Sequence, residues 1–141
     1  MTIKENLKKI QEKIERASQG KNKKIEIVAV TKTQPFSIIQ ECYKAGIFSI
    51  WENKIQEAIE KLSKKTKNLP IKKRFIGHLQ TNKVNKCLEL FHTIDSVDSV
   101  KLSKKINKRA HQTNQKFPVL LEVNTSREIQ KFGFLPEEID K

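Results

Sequence analysis

Lys32 stands between two threonines in the run VAVTKTQP, residues 28–35, two residues after the end of the apolar stretch Ile25–Val30 and three before Pro35, which ends the extended run. Burial in apolar surroundings disfavours an ammonium ion and lowers its pKa. A lysine left neutral in this way is a nucleophile that condenses with an aldehyde to a Schiff base. The competing reading is a side chain that leaves the strand and runs out to water. Four further polar residues follow strand-like runs: Asn53, His78, Asp95 and Asn124. Parallel α/β folds gather their ligands at the C-terminal ends of strands, so these five residues form one candidate rim. Each also has a local alternative. Asn53 is a good helix cap, Asp95 can sit in a turn before Ser96, His78 can be a satisfied lone histidine, and Asn124 can begin an Asx turn. The stretch Gly77–Asn82, with Gln80 and Asn82, can hold a phosphate or simply cap a helix. Gly-rich phosphate loops, CxxC and HExxH are absent, and three histidines far apart give a metal site little support.

The elements that must position these residues follow from periodicity. Thr2 and Glu5 make a capping box before the stripe Ile3, Leu7, Ile10 and Ile14, with Gly20 as a stop. Ile25 to Thr31 reads as a strand buried on both faces, as in a parallel sheet. Ile38, Ile39, Cys42 and Ala45 fit a short helix closed by Gly46. A strand over 47–51 precedes a helix capped by Asn53 and carrying Ile55, Ala58, Ile59 and Leu62. Lys61, Lys64 and Lys65 suit the negative end of that helix. Residues 74–78 form a third strand, and a helix with Val84, Cys87 and Leu88 facing inward starts at Thr81 or Asn82. A fourth strand covers 91–95. Ser96 caps a helix with Val97, Val100, Ile106 and Ala110, and 117–124 form a fifth strand.

Strand starts spaced by 17 to 27 residues are the step of a βα unit, with parallel strands and right-handed crossovers. No linker divides the chain, so residues 1–141 are read as one domain. Leu135–Ile139 carry helix-start signals, after which the sequence stops. Five βα units of this kind read as part of an eight-unit TIM-type barrel, which needs at least ~200 residues. A complete five-stranded open sheet is the alternative.

Composition narrows the function classes. The chain has 141 residues, 36% hydrophobic and 32% charged, which suits one folded domain with a core. No apolar run approaches a membrane span. The N-terminal MTIKENLKKI lacks the apolar core of a signal peptide, so a cytoplasmic location is expected. Cys42 and Cys87 fall on apolar helix faces and are expected to be reduced core thiols. The net charge of +13 could signal a polyanion partner. The basic residues are 25 lysines against 4 arginines, scattered over the whole length. Arginine is the favoured reader of bases and phosphates, so solvated helix faces account better for the charge than a dedicated nucleic-acid surface does.

Five segments carry a resemblance: VAVTKTQP (28–35), ENKIQEA (52–58), RFIGHLQTNK (74–83), FHTIDSVDS (91–99) and VLLEVNTSREIQKFGF (119–134). In order and spacing the chain resembles the N-terminal part of the pyridoxal 5'-phosphate homeostasis proteins, the YggS/PROSC family. The resemblance implies a barrel of alanine-racemase-like fold that holds pyridoxal phosphate (PLP) as a Schiff base on Lys32, without catalysis of its own. It also implies a cofactor site that includes Asn53, His78 and Lys131, with Gln80, Asn82 and Lys83 on the same rim; Asn124 joins that site by its place at the end of the fifth strand. No catalytic or metal residue is implied. PLP-dependent enzymes are possible partners, as is a partner fragment or a second copy at open barrel edges.

Three positions depart from the family pattern: Trp51 replaces a usual glycine, Lys73 a usual aromatic, and Gln34 a frequent second lysine. The family's phosphate cradle and its ring-side arginine lie beyond the matched part, so weak or absent cofactor affinity is expected of these residues alone. An inactive remnant or split-gene fragment is the main alternative. A racemase-like PLP enzyme and a basic RNA-binding protein are the remaining ones.

Overall fold

A computed structural model of the chain describes residues 1–19, 21, 24–62, 66 and 68–140. The elements are α1 (Ile3–Ser18), β1 (Ala29–Val30), α2 (Phe36–Ala45), β2 (Ser49–Glu52), α3 (Ile55–Leu62), β3 (Lys72–Phe75), α4 (Val84–Leu90), β4 (Thr93–Val97), α5 (Val100–Gln112) and β5 (Val119–Leu121). A 3-10 turn over Thr81–Lys83 leads into α4, and another covers Pro136–Glu138. Every strand pair is parallel, and the sheet order is β1-β2-β3-β4-β5. A doubly wound sheet reverses its strand order at a switch point. An unbroken sequential order is the winding of a barrel, so the partial-barrel expectation holds.

Alternation along each strand divides the sheet into two faces. Ile50, Phe75 and Ile94 join one buried cluster with Ile39 of α2, Ala58 and Leu62 of α3, Val84 and Cys87 of α4, and Leu102, Ile106 and Ala110 of α5. Fully burying each such large side chain contributes about 2 kcal/mol. Phe75 and Phe91 meet edge-to-face within it, with ring centroids 5.2 Å apart. The opposite face carries Val30, Trp51, Arg74 and Asp95. A smaller cluster of Leu7, Cys42 and Ile47 ties α1 to α2. The capping box of α1 forms as expected: Glu5 N–H donates to Thr2 Oγ1, and Thr2 N–H to Glu5 Oε2. Gly46 closes α2 at φ 98°, a conformation that glycine adopts without steric cost. Cys42 and Cys87 are buried and unpaired with each other.

Several expectations need correction. The first strand is two residues long, and Val30 is 48% exposed rather than buried on both faces. β1 is an edge strand, and among the described residues no helix covers the face that Val30 shares with Trp51. Ser96 lies in β4 and donates to the Gly77 carbonyl, so it caps nothing; Ser99 caps α5 by accepting the Leu102 N–H. Val97 accordingly belongs to β4, and Val100 is exposed. The signals at Leu135–Ile139 give only the short 3-10 turn. Gly20, Lys64 and Lys65 lie outside the described residues.

Candidate functional site

Parallel strands deliver their C-terminal ends to one rim. Lys32, Asn53 and His78 therefore follow three adjacent strands on the same side of the sheet, and Asn124 follows β5 there. Thr31 N–H donates to the Trp51 carbonyl at 3.0 Å, which carries the ladder one residue past β1. Alternation then gives Lys32 the face of Val30 and Trp51. Lys32 is exposed. The side chain is thus not buried at the strand end, and the reading in which it runs out to water is the one that its exposure matches.

The buried lysine is Lys61, which the sequence suggested only as a cation at the end of α3. Its Nζ lies 2.8 Å from Glu52 Oε1 and 3.3 Å from Glu57 Oε1, with side-chain exposures of 8% for Lys61 and 0% for Glu52. It also donates to the carbonyls of Thr31 (2.9 Å) and Gln34 (3.0 Å). Glu57 accepts the Thr33 N–H at 2.7 Å, which holds its carboxyl below the usual carboxylate range despite some burial.

Asn53 does not cap α3. Its side-chain oxygen is buried and accepts no hydrogen bond. Its carbonyl oxygen packs against Gly77, where an added Cβ would stand 2.0 Å away. The two neighbouring strand ends therefore approach closely only because residue 77 has no side chain. One residue on, His78 Nδ1 pairs with Asp98 Oδ2 at 2.6 Å, and its ring stacks on Phe132 with centroids 3.7 Å apart and planes 10° from parallel. With Nδ1–H donating to the carboxylate, Nε2 is left as the free ring nitrogen. Nearby, burial and the Asp98 charge push the Glu122 carboxyl up, partly offset by His78.

Asn124 is buried and committed to its own loop. Its Nδ2–H donates to the Glu128 carbonyl at 3.0 Å, and its Oδ1 accepts from Ser126 at 3.2 Å. Its backbone N–H donates to the Phe134 carbonyl, closing the loop at Gly133, whose φ is 113°. Lys131, on that loop, is exposed and pairs with Glu128 Oε1 at 2.5 Å. Gln80, Asn82 and Lys83 are exposed at the start of α4. Asp95 faces the uncovered side of the sheet, where it accepts from Trp51 and Arg74. Trp51, read as a departure, thus lies on the same face as Lys32.

The structure brings Lys32, Asn53 and His78 onto adjacent strand ends and ties Asn124 and Lys131 into the loop that carries Phe132. Sequence reasoning missed Asp98 and Phe132, the partners of His78. Asp98 could have been suspected as the second acid of FHTIDSVDS, whereas nothing local announces the Phe132 stack. Among the described residues no His, Cys, Asp and Glu cluster could hold a metal ion, and no helix is long and apolar enough to cross a membrane.

A family model described as "Alanine racemase, N-terminal domain" matches residues 2–141. A protein of Pasteurella multocida named pyridoxal phosphate homeostasis protein is 34% identical over 99% of this chain and 61% of its own length. An unknown protein from Bifidobacterium adolescentis is similar in structure, with a TM-score of 0.86, 31% identity and coverage of 96% of this chain and 60% of that one. The PipY protein of Synechococcus elongatus, solved with PLP bound, gives a TM-score of 0.73 at 29% identity, covering 91% of this chain and 59% of that one. The chain therefore spans about three fifths of the length of these relatives.

Proposed function

We propose a cofactor-holding function for this chain, which belongs to the alanine racemase N-terminal domain family. Residues 1–141 act as one PLP-binding domain in cytoplasmic PLP homeostasis, passing the cofactor to PLP-dependent enzymes and turning over no substrate. The observation that carries the reading is the rim itself: a lysine, an asparagine and a histidine on adjacent strand ends, with the buried Asn53 Oδ1 left unbonded. A buried acceptor without a partner costs about 1–3 kcal/mol, a cost relieved by a ligand hydroxyl or a protonated ring nitrogen. The residues present therefore fit the group.

When bound, PLP supplies an aldehyde that reacts with a primary amine. Lys32 is the amine offered to it. Asn53 presents its acceptor, and His78, fixed by Asp98 and Phe132, presents a ring that cannot swing away. Asn124 holds the loop that brings Phe132 and Lys131 to the rim, and Lys131 adds positive charge for a phosphate. The PLP-bound PipY relative and the homeostasis name of the Pasteurella relative support this reading. Titrating the protein and its Lys32→Ala variant with PLP, and following visible absorbance, tests it. A band that requires Lys32 is expected, and no such band in the parent protein sinks the reading. Amino-acid racemisation is expected to be blank, and clear turnover would overturn the non-catalytic part.

The β5 edge favours a second reading. Val119, Leu120 and Leu121 are all exposed on an edge strand, a surface suited to adding another strand. On this reading the site is completed by a partner fragment or a second copy at that edge. A monomer by sedimentation whose PLP band develops fully without a partner would remove it.

A further inference from the structure

We propose that Lys61 is a positioning residue: it clamps the turn over residues 31–34 and so fixes where Lys32 presents its amine. The role of Lys32 comes from the cofactor-holding function above; the clamp itself stands on geometry. The turn is closed by Gln34 N–H donating to the Thr31 carbonyl at 3.0 Å. Thr33 sits inside it at φ 63°, the left-handed region that a β-branched residue rarely enters. Such strain persists where the surroundings over-determine it, and it concentrates at functional sites.

The surroundings here are one charge network. Lys61 Nζ donates to the carbonyls at both ends of the turn. Its partner Glu52 accepts the Thr31 hydroxyl at 2.6 Å, and its partner Glu57 accepts the Thr33 N–H at 2.7 Å. Thr31 is thus tied to Glu52 and Lys61, Thr33 to Glu57 and Gln34 to Lys61, all within one network of two carboxylates and one ammonium. The backbone of the turn is thus fixed, while the Lys32 side chain, like those of Thr33 and Gln34, has no hydrogen-bond or ion-pair partner among the described residues.

Stability alone is a weak reason for this arrangement. A buried ion pair is often no better than well-packed apolar residues of the same volume, and Glu52 Oε2 is left buried without a partner. What apolar residues cannot supply is a donor to two backbone carbonyls at once. The network rigidifies the backbone around Lys32 while leaving its amine unpaired.

Two variants test the clamp in the absence of PLP. Lys61→Met removes the cation, and Glu57→Ala removes a partly exposed acceptor whose loss leaves the Lys61–Glu52 pair in place. The first readout is amide hydrogen exchange at Thr33 and Gln34, with Phe75 and Ile94 amides as controls for global opening. Losing one hydrogen bond speeds local exchange about tenfold; Glu57→Ala is expected to show this with the controls unchanged, and Lys61→Met to show it beyond whatever acceleration the controls share, since it leaves Glu52 buried and unpaired. The second readout is modification of Lys32 by trinitrobenzenesulfonate, quantified by mass spectrometry. In Lys61→Met and in Glu57→Ala alike, the modification rate at fixed pH is expected to change more than about threefold.

Exchange at Thr33 and Gln34 that stays at the parent rate in Glu57→Ala overturns the clamp. So does faster exchange with a Lys32 rate changed less than threefold, which would show a turn that does not govern its lysine. Should Lys61→Met fail to fold, Glu57→Ala decides alone. Because neither readout uses PLP, a missing absorbance band defeats the proposed function without touching this result.

Discussion

The Trp51 indole Nε1–H donates to Asp95 Oδ2 at 2.8 Å, across the width of an intervening strand. The intervening strand supplies Arg74, whose Nε donates to the same oxygen at 2.6 Å, while Thr93 Oγ1 donates to Asp95 Oδ1 at 2.9 Å. One carboxylate therefore gathers three strands on the face that no helix covers. Asp95→Ala leaves a largely buried guanidinium with only the more distant Glu26 at 3.7 Å. Breaking a buried pair from one side costs about 3 kcal/mol or more, so the urea midpoint is expected to fall sharply. The chain has one tryptophan, and its emission should shift to the red as the indole N–H loses its partner. An unchanged midpoint would mean that the network contributes nothing net.

Gly77→Ala tests how closely the rim must pack. The new Cβ would stand 2.0 Å from the Asn53 carbonyl oxygen and 2.8 Å from its carbonyl carbon. Backbone cannot yield as a flexible side chain can, so the ends of β2 and β3 must separate. Overpacking of this kind costs about 1–3 kcal/mol. A lower thermal midpoint is expected, together with loss of any Lys32-dependent absorbance. A variant as stable as its parent would show that the strand ends have freedom to move.

The barrel winding was legible because it is written in local signals. The capping box at Thr2, the Gly46 stop and the regular strand spacing need no long-range information, and the structure follows them. Strand lengths were not legible: Ile25–Ile27 have the composition of a strand, but pairing depends on a neighbour's register, which residue type does not encode. The rim residues Lys32, Asn53 and His78 were found by position. Their states were not, since burial, cap and stack are properties of distant partners. Lys61 shows the limit most plainly. Its spacing in α3 is compatible with a solvated dipole cation, and only the tertiary fold reveals that Glu52 and the Thr31 carbonyl lie beneath it.

Cysteine reactivity follows mainly from burial. Cys87 lies at the centre of the main cluster, and burial pushes its thiol up to about 12; Cys42 is raised by burial and by the Glu41 charge. The thiolate is the reactive form, so native protein should consume a disulfide reagent such as dithionitrobenzoate very slowly at pH 8, and two equivalents quickly in urea. Fast labelling of Cys87 in native protein would contradict its burial.

His92 sets an acid limit on the N-terminal side of the sheet. Its Nδ1 accepts the Lys73 N–H at 2.9 Å, which requires an unprotonated nitrogen. Burial, and then the charges of Lys73 and Lys72, hold its pKa below the ordinary histidine value. The unfolded chain therefore takes up the proton first as pH falls. The stability that neutral His92 contributes is fully present above the ordinary histidine pKa of the unfolded chain and is lost as pH drops below it through the folded one. His92→Gln keeps an acceptor for the Lys73 N–H and does not titrate. Urea midpoints at pH 8 and pH 5.5 should therefore fall more for the parent than for the variant. Comparing the two cancels the other histidines and Glu122, whose raised pKa works in the opposite direction as acid relieves its burial. Equal falls in both proteins would show that protonation of His92 carries no cost to the fold.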